Sequence, residues 1–263
     1  MKHTLKALLF AVAVTTALSA TAQKTSFAVT GGWTLPVGNY AHSDIKNNLW
    51  GLVYKCPYGG AGQGAMLGVQ WCKPIASMNC TSLLLSLDLI YSDHNSDIKT
   101  GMFEVRQVME TNFSEVNFTL PCYYNIPLMV GLRHEWPFAE GQAVFTEVQV
   151  GMDYCLVTDR GATLRGGTQP LPVGGQNLYD YVYTDHFGGS AAVAAHLGVG
   201  CLFAQRWQVD AGLWYLGSHQ VYGNEEFGYN ADQGSTTLWR GKQEFMLGEI
   251  TPLMVTVRIG FRI

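Results

Sequence analysis

The chain has 263 residues, of which 48% are hydrophobic and only 14% charged; it carries 30 glycines and a formal charge of -4. Without the two lysines of the leader described below, Lys2 and Lys6, the charge is -6, which offers no broad positive field to a phosphate backbone and excludes nucleic acid as a partner. Typical soluble domains are about 25% charged, so this composition suits a barrel held in a membrane better than a surface coated by water.

Residues 1–23, MKHTLKALLFAVAVTTALSATAQ, have a basic start, an apolar middle and a small-residue exit, which is the pattern of a secretory signal. The apolar part, residues 7–20, is shorter than the roughly 20 residues a spanning helix needs. The expected division is therefore a signal at 1–23 and one exported domain at 24–263.

The exported part is written in period two, the signature of strands with two unlike faces. Phe27, Val29, Trp33 and Leu35 alternate with Ser26, Ala28, Thr30 and Gly32, and Leu67, Val69 and Trp71 with Gly68 and Gln70. In TSLLLSLDLIYS, Leu83 to Tyr91 on odd numbers back onto Ser86 and Asp88; in YYNIPLMVGLRHEW, Tyr124, Ile126, Leu128, Val130 and Leu132 oppose Asn125, Gly131 and Arg133. QAVFTEVQVGMDYCL sets Val144, Val148, Val150, Met152 and Tyr154 against Glu147, Gln149, Gly151 and Asp153. FGGSAAVAAHLGVGCLF is a sixth strand, too short and too rich in glycine for a spanning helix. WQVDAGLWYLG places Trp207, Val209, Leu213 and Tyr215 opposite Gln208, Asp210 and Trp214, and VTVRIGFRI places Val255, Val257, Ile259, Phe261 and Ile263 opposite Arg258 and Arg262.

Short connections near 73–79, 137–142 and 204–206 alternate with long ones near 36–63, 92–118, 157–186 and 217–250. That asymmetry predicts an all-β fold: an eight-stranded antiparallel up-and-down transmembrane β-barrel with short periplasmic turns and long outer loops. Aromatic residues at both ends of the apolar faces, including Trp33, Tyr91, Tyr154 and Tyr215 at one end and Phe27, Trp136, Phe203 and Trp207 at the other, are placed like interfacial girdles.

YNIPLMVGLRHEW followed by a turn and FTEVQVGMDYCL resembles the central strand pair of the PorT-like family of outer-membrane β-barrels. The Gly-Gly-Trp first strand, the Leu-rich third, the Gly/Ala-rich sixth and the closing IGFRI extend the resemblance over the expected domain. The chain departs from the pattern at its end, where Ile263 replaces an aromatic and Phe261 is the nearest substitute. The resemblance implies an outer-membrane location, insertion by the barrel-assembly machinery and a possible link to a protein-secretion apparatus.

A barrel of eight strands is filled by side chains. Asp88, Arg133, Glu147, Asp153, Asp210, Arg258 and Arg262 are thus expected to form a structural charge network in the lumen, because unpaired buried charge is strongly unfavourable. On the opposite face, Ile259→Arg is expected to block assembly more severely than Arg258→Ala. Of six cysteines, Cys72 and Cys80 flank a short connection and share parity, which makes them the candidate disulfide. Cys122 and Cys201 read as small hydrophobes.

No catalytic, metal or cofactor site is expected. His134-Glu135 lacks the second histidine of a zinc helix and precedes Pro137. GGAGQG at 59–64 precedes a strand instead of opening a helix and reads as a flexible loop. His186, Ser190, Ser218 and His219 near one rim raise a lipid-modifying barrel enzyme as an alternative, although neighbours such as Ser218 and His219 point to opposite faces of a strand. Tyr179, Tyr181 and Tyr183 share parity, continue strand six outward, and are expected to pack with Tyr222, Phe227, Tyr229 and Trp239. The expected function is non-enzymatic: envelope structure, secretion or assembly support, or surface interaction through the outer loops, with lipid outside and an unknown partner at the loops. A soluble lipocalin-like barrel binding a hydrophobic ligand is the other alternative, and it needs the apolar faces to point inward.

Overall fold

The computed structural model describes residues 25–42, 60–78, 80–170, 176–230 and 239–263; the expected signal at 1–23 and Cys56 lie outside these residues. In chain order the elements are β1 (Ser26–Pro36), β2 (Ala61–Pro74), β3 (Thr81–His94), α1 (Ser96–Glu110), β4 (Glu115–Thr119), β5 (Tyr123–Ala139) and β6 (Gln142–Val157). They continue with β7 (Arg160–Pro170), β8 (Gln176–Phe187), β9 (Ser190–Phe203), β10 (Trp207–Tyr215), β11 (His219–Asn230), β12 (Trp239–Ile250) and β13 (Leu253–Arg262).

The eight periodic segments form one closed antiparallel barrel in the order β1-β13-β10-β9-β6-β5-β3-β2. Closure leaves no strand edge open, and the terminal strand seals it through pairs such as Val29↔Phe261 and Trp33↔Val257. The turns are tight at one end. Ala139↔Gln142 brackets a two-residue turn in which Gly141 has φ +70, a left-handed value that glycine adopts without penalty. Its carbonyl accepts a hydrogen bond from the Gln205 N–H of the adjoining turn at 2.9 Å.

Faces follow parity as expected. Leu67, Val69, Leu87, Leu89, Val130, Val148, Val150, Val193, Leu197, Val209, Val257 and Ile259 are all exposed on the outside, while Gln70, Ser86, Asp88, Arg133, Glu147, Gln149, Asp210 and Arg258 are buried within. The aromatic residues stand on the outer face at both ends, Trp33, Tyr154 and Tyr215 against Phe27, Trp136, Phe203 and Trp207. Tyr91 and Tyr124 meet there with ring centroids 5.3 Å apart.

Parity does not foresee what the long connections do. Strands from three of them pair into a second, five-stranded sheet, β12-β11-β8-β7-β4, standing at the barrel's mouth. α1 packs on it, with Ile98, Met102 and Val105 against Ala162, Phe118, Leu120 and Tyr181. Asn95 caps the helix, its side chain accepting from the Ile98 N–H at 3.0 Å, and its amide donates to the Ala41 carbonyl at 2.7 Å, which ties the helix start to the first connection.

The tyrosine stretch is not an extension of strand six. β8 ends at Phe187 and β9 begins at Ser190, because Gly188 and Gly189 let the chain turn where the Gly188 N–H donates to the Tyr222 carbonyl. A Cβ at Gly189 would sit 2.1 Å from the Tyr154 hydroxyl. Register nevertheless sets Tyr183 opposite Phe227, and Tyr229 opposite both Tyr181 and Trp239. Tyr222 differs in parity from Phe227 and Tyr229 and is exposed. The glycine-rich stretch is also not a loop throughout: β2 begins at Ala61, and a Cβ on Gly64 would lie 1.7 Å from the Tyr91 carbonyl oxygen.

Inside the second sheet, Arg160 and Asp185 are buried cross-strand partners, with Arg160 Nε donating to Asp185 at 2.7 Å. Burial, and then the neighbouring Asp185 carboxylate, raise Glu225 above the ordinary carboxylate range, with Arg160 opposing them. Arg160→Ala is expected to strand Asp185 and loosen this sheet alone. Limited proteolysis should then cut within 158–189 and 217–250 while the barrel keeps its heat-modifiable gel mobility. Loss of both together would show that the two sheets fold as one unit.

The candidate functional site: a filled lumen under a folded cap

All seven residues of the expected charge network lie on the inner face, but they divide into three groups. In the middle, Glu147 bridges two guanidinium groups: Oε2 accepts from Arg133 Nη2 at 2.8 Å, and Oε1 accepts from Arg258. Arg258 Nε donates to Asp210 Oδ1 at 2.6 Å. Arg133 also donates to Gln70 Oε1 at 2.8 Å and Gln208 Oε1 at 3.1 Å, and lies over the Phe145 ring at 4.3 Å. A planar guanidinium with several donors in fixed directions is suited to this many simultaneous acceptors.

Near the turn end, Arg262 is only partly buried and donates to Glu135 Oε1 at 2.7 Å, outside the central network. At the mouth, Asp153 Oδ2 lies 3.1 Å from His219 Nε2, and both side chains are buried. Asp88 is buried beside the central group, and neither of its carboxylate oxygens has a hydrogen-bond partner among the described residues.

Small inner-face residues make room for these groups. A Cβ on Gly68 would lie 1.9 Å from Asp88 Oδ1, and one on Gly212 would lie 2.3 Å from His196 Nε2. His196 stacks on Trp214 with centroids 4.1 Å apart, and the indole donates to Thr256 Oγ1 at 3.1 Å. Above this layer, Tyr40, Met66, Ile90, Met129, Trp214 and Met254 belong to one buried apolar cluster that also takes in Leu216, Val221 and Ile250 at the base of the second sheet. Toward the turns, Ala143, Phe145 and Leu202 form another. The lumen therefore holds a polar layer between two apolar clusters.

The candidate disulfide does not form. Cys72 is buried on β2 opposite Leu84, four residues along β3 from the exposed Cys80, and both are free thiols. Four residues of strand span about 13 Å, against a usual Cα separation of about 5.5 Å in a disulfide. The shared parity is lost because the chain turns before Cys80, whose φ is 62. Cys122 is partly buried, with its sulfur 3.6 Å from the Tyr91 hydroxyl.

The four residues of the enzyme alternative are not assembled. Ser218 donates to Glu249, exposed, while His219 is buried with Nδ1 3.1 Å from the Ser190 carbonyl and Nε2 2.8 Å from the Leu216 carbonyl. His186 faces Asp159 at 2.8 Å on the exposed side of the second sheet. His134 Nδ1 is 2.8 Å from Thr81 Oγ1 across two strands. Gln70, Gln208, His196, Trp214 and His219 are members of the interior that residue type alone does not single out; parity places Gln70, Gln208 and Trp214, and His219 joins through a contact 66 positions from Asp153 in the chain.

No family model and no curated protein matches the chain. Among solved structures it is similar to the outer membrane protein OprG from Pseudomonas aeruginosa, at 10% identity over 92% of this chain and 97% of that one, with a TM-score of 0.41. It is also similar to a major outer membrane protein from Thermus thermophilus, at 14% identity over 91% and 99%, with a TM-score of 0.43. The assignment of the chain as an eight-stranded antiparallel barrel rests on its own closed strand register and its apolar exterior.

Proposed function

We propose that the chain is a plugged bacterial outer-membrane barrel, whose work is done by the folded cap at its mouth and not by passage through its lumen. The observation that carries this reading is the distribution of polarity. The outer faces form an apolar belt between two sets of aromatics, as lipid requires, and the interior is occupied by the Arg133–Glu147–Arg258–Asp210 network between apolar plugs. A lipocalin-like carrier needs the reverse, with apolar faces inside and charge outside.

The proposed role is envelope structure, secretion or assembly support, or surface interaction through the cap. The resemblance of the central strand pair to PorT-like barrels favours secretion support within that set. The proposal includes no cofactor and no enzymatic step, a reading supported by the engagement of Ser218 with Glu249 and of His219 with the Ser190 and Leu216 carbonyls. Insertion by the barrel-assembly machinery follows from the location.

Planar bilayers test it. The refolded full chain is expected to insert without a steady ohmic conductance, since the charge network and the two apolar clusters occupy the lumen. A stable, voltage-independent open level would sink the reading. Deletion of the gene is expected to leave lipid A and phospholipid profiles unchanged, and a changed acyl pattern would return the enzyme alternative.

A further inference from the structure

The central lumen holds three carboxylates, Glu147, Asp210 and Asp88, and two guanidinium groups, Arg133 and Arg258. Glu147 uses both oxygens on the two arginines, and Asp210 accepts from Arg258 Nε. Asp88 is left over. It is 1% exposed, and both of its oxygens lack a hydrogen-bond partner among the described residues. In a medium of low dielectric, a buried charge without a partner is the least tolerable arrangement, and neutralisation is the usual escape.

We propose that Asp88 is a proton-binding site of the folded barrel, holding one proton as a neutral carboxylic acid so that two carboxylates balance two guanidinium groups. Gly68 leaves space between Asp88 and Thr30: a Cβ there would meet Asp88 Oδ1 at 1.9 Å and Thr30 Oγ1 at 3.1 Å. Thr30 Oγ1 is buried and has no hydrogen-bond partner among the described residues, and a hydroxyl oxygen can accept from an acid O–H. The ladder between β3 and β5 also opens here: pairing runs to Leu87↔Leu128 and resumes at Ile90↔Asn125, because Pro127 has no N–H to give.

Every packed strand enters the count. β1 and β2 present the uncharged Thr30 and Gln70, β13 presents Arg258, β10 Asp210, β6 Glu147 and β5 Arg133. β9 presents His196, stacked on Trp214 with Nδ1 3.7 Å from Glu147 Oε1 and neither ring nitrogen hydrogen-bonded, so that a cationic ring would hold two N–H groups without acceptors. Asp153 stands apart at the mouth, 3.1 Å from His219 Nε2, and its oxygens too make no hydrogen bond among the described residues.

The test uses the full chain folded into lipid vesicles. Infrared spectra at neutral pH are expected to show a carboxylic-acid carbonyl band that disappears in Asp88→Asn and persists in Glu135→Gln. Urea titrations are expected to rank Asp88→Asn at or above the parent protein, with its advantage growing as pH rises, and Asp210→Asn below it. A parent spectrum without the acid band would overturn the proposal, as would a band that survives Asp88→Asn. An Asp88→Asn chain that fails to fold would also overturn it, since the amide matches the neutral acid in shape and needs no counter-charge.

Discussion

Arg258→Ala is expected to destabilise the folded barrel by about 3 to 5 kcal/mol, the range found when one partner of a buried ion pair is removed. Arg258 satisfies Asp210 through Nε and Glu147 through Nη2, so its loss leaves one buried carboxylate without its cation and another with half of its pairing. Arg133 cannot take over, because its donors are committed to Glu147, Gln70 and Gln208. The urea midpoint of the chain folded in vesicles measures the effect. Replacing Arg258 and Asp210 together by apolar residues of similar volume is expected to recover part of the loss, because Glu147 then keeps Arg133 and the carboxylate that Arg258 satisfied through Nε is gone. A midpoint for Arg258→Ala within about 1 kcal/mol of the parent would show that the network is hydrated and contributes little.

This reverses the ranking that the sequence suggests. In VTVRIGFRI the arginines read as lumen charges in need of acidic partners and Ile259→Arg as the more severe change for assembly, because alternation exposes which face a residue takes but not what it meets there. Parity places Arg133, Glu147, Asp210 and Arg258 inside from residue type alone. It cannot set register between strands 48 or 111 positions apart, and that register decides that Arg258 meets both acids while Arg262 meets Glu135 instead.

The second sheet is illegible for a different reason. β4, β7, β8, β11 and β12 come from three separate connections and carry stretches such as RGATLRGGTQP, whose alternation is weak and whose glycines read as loop. Their pairing is a tertiary fact, supplied by neighbours brought together when the barrel closes. One local signal was present and sufficient: Asn95 followed by Asp97 and the apolar spacing Ile98, Met102, Val105 announces a capped helix. The Cys72–Cys80 expectation fails at the same level, since parity carries no meaning once the chain has left the strand.

Arginine on the outer face of β13 is expected to act by depth. The apolar belt of such a barrel is about 25 Å tall, and β13 runs from Leu253 at the mouth to Arg262 at the turns, so Val257 stands near its middle. Ile259 lies one outward position from Phe261, whose ring packs on Trp207 with centroids 4.9 Å apart at the turn-end girdle. Val257→Arg is therefore expected to destabilise by roughly 2 to 4 kcal/mol, with Ile259→Arg smaller because the side chain can reach the interface, and Phe261→Arg smaller again. Urea midpoints of the three variants in the same vesicles should fall in that order. The same series in a soluble barrel would be flat, because water would solvate all three guanidinium groups alike. Equal midpoints across the series would therefore remove lipid from this face, and the outer-membrane reading with it.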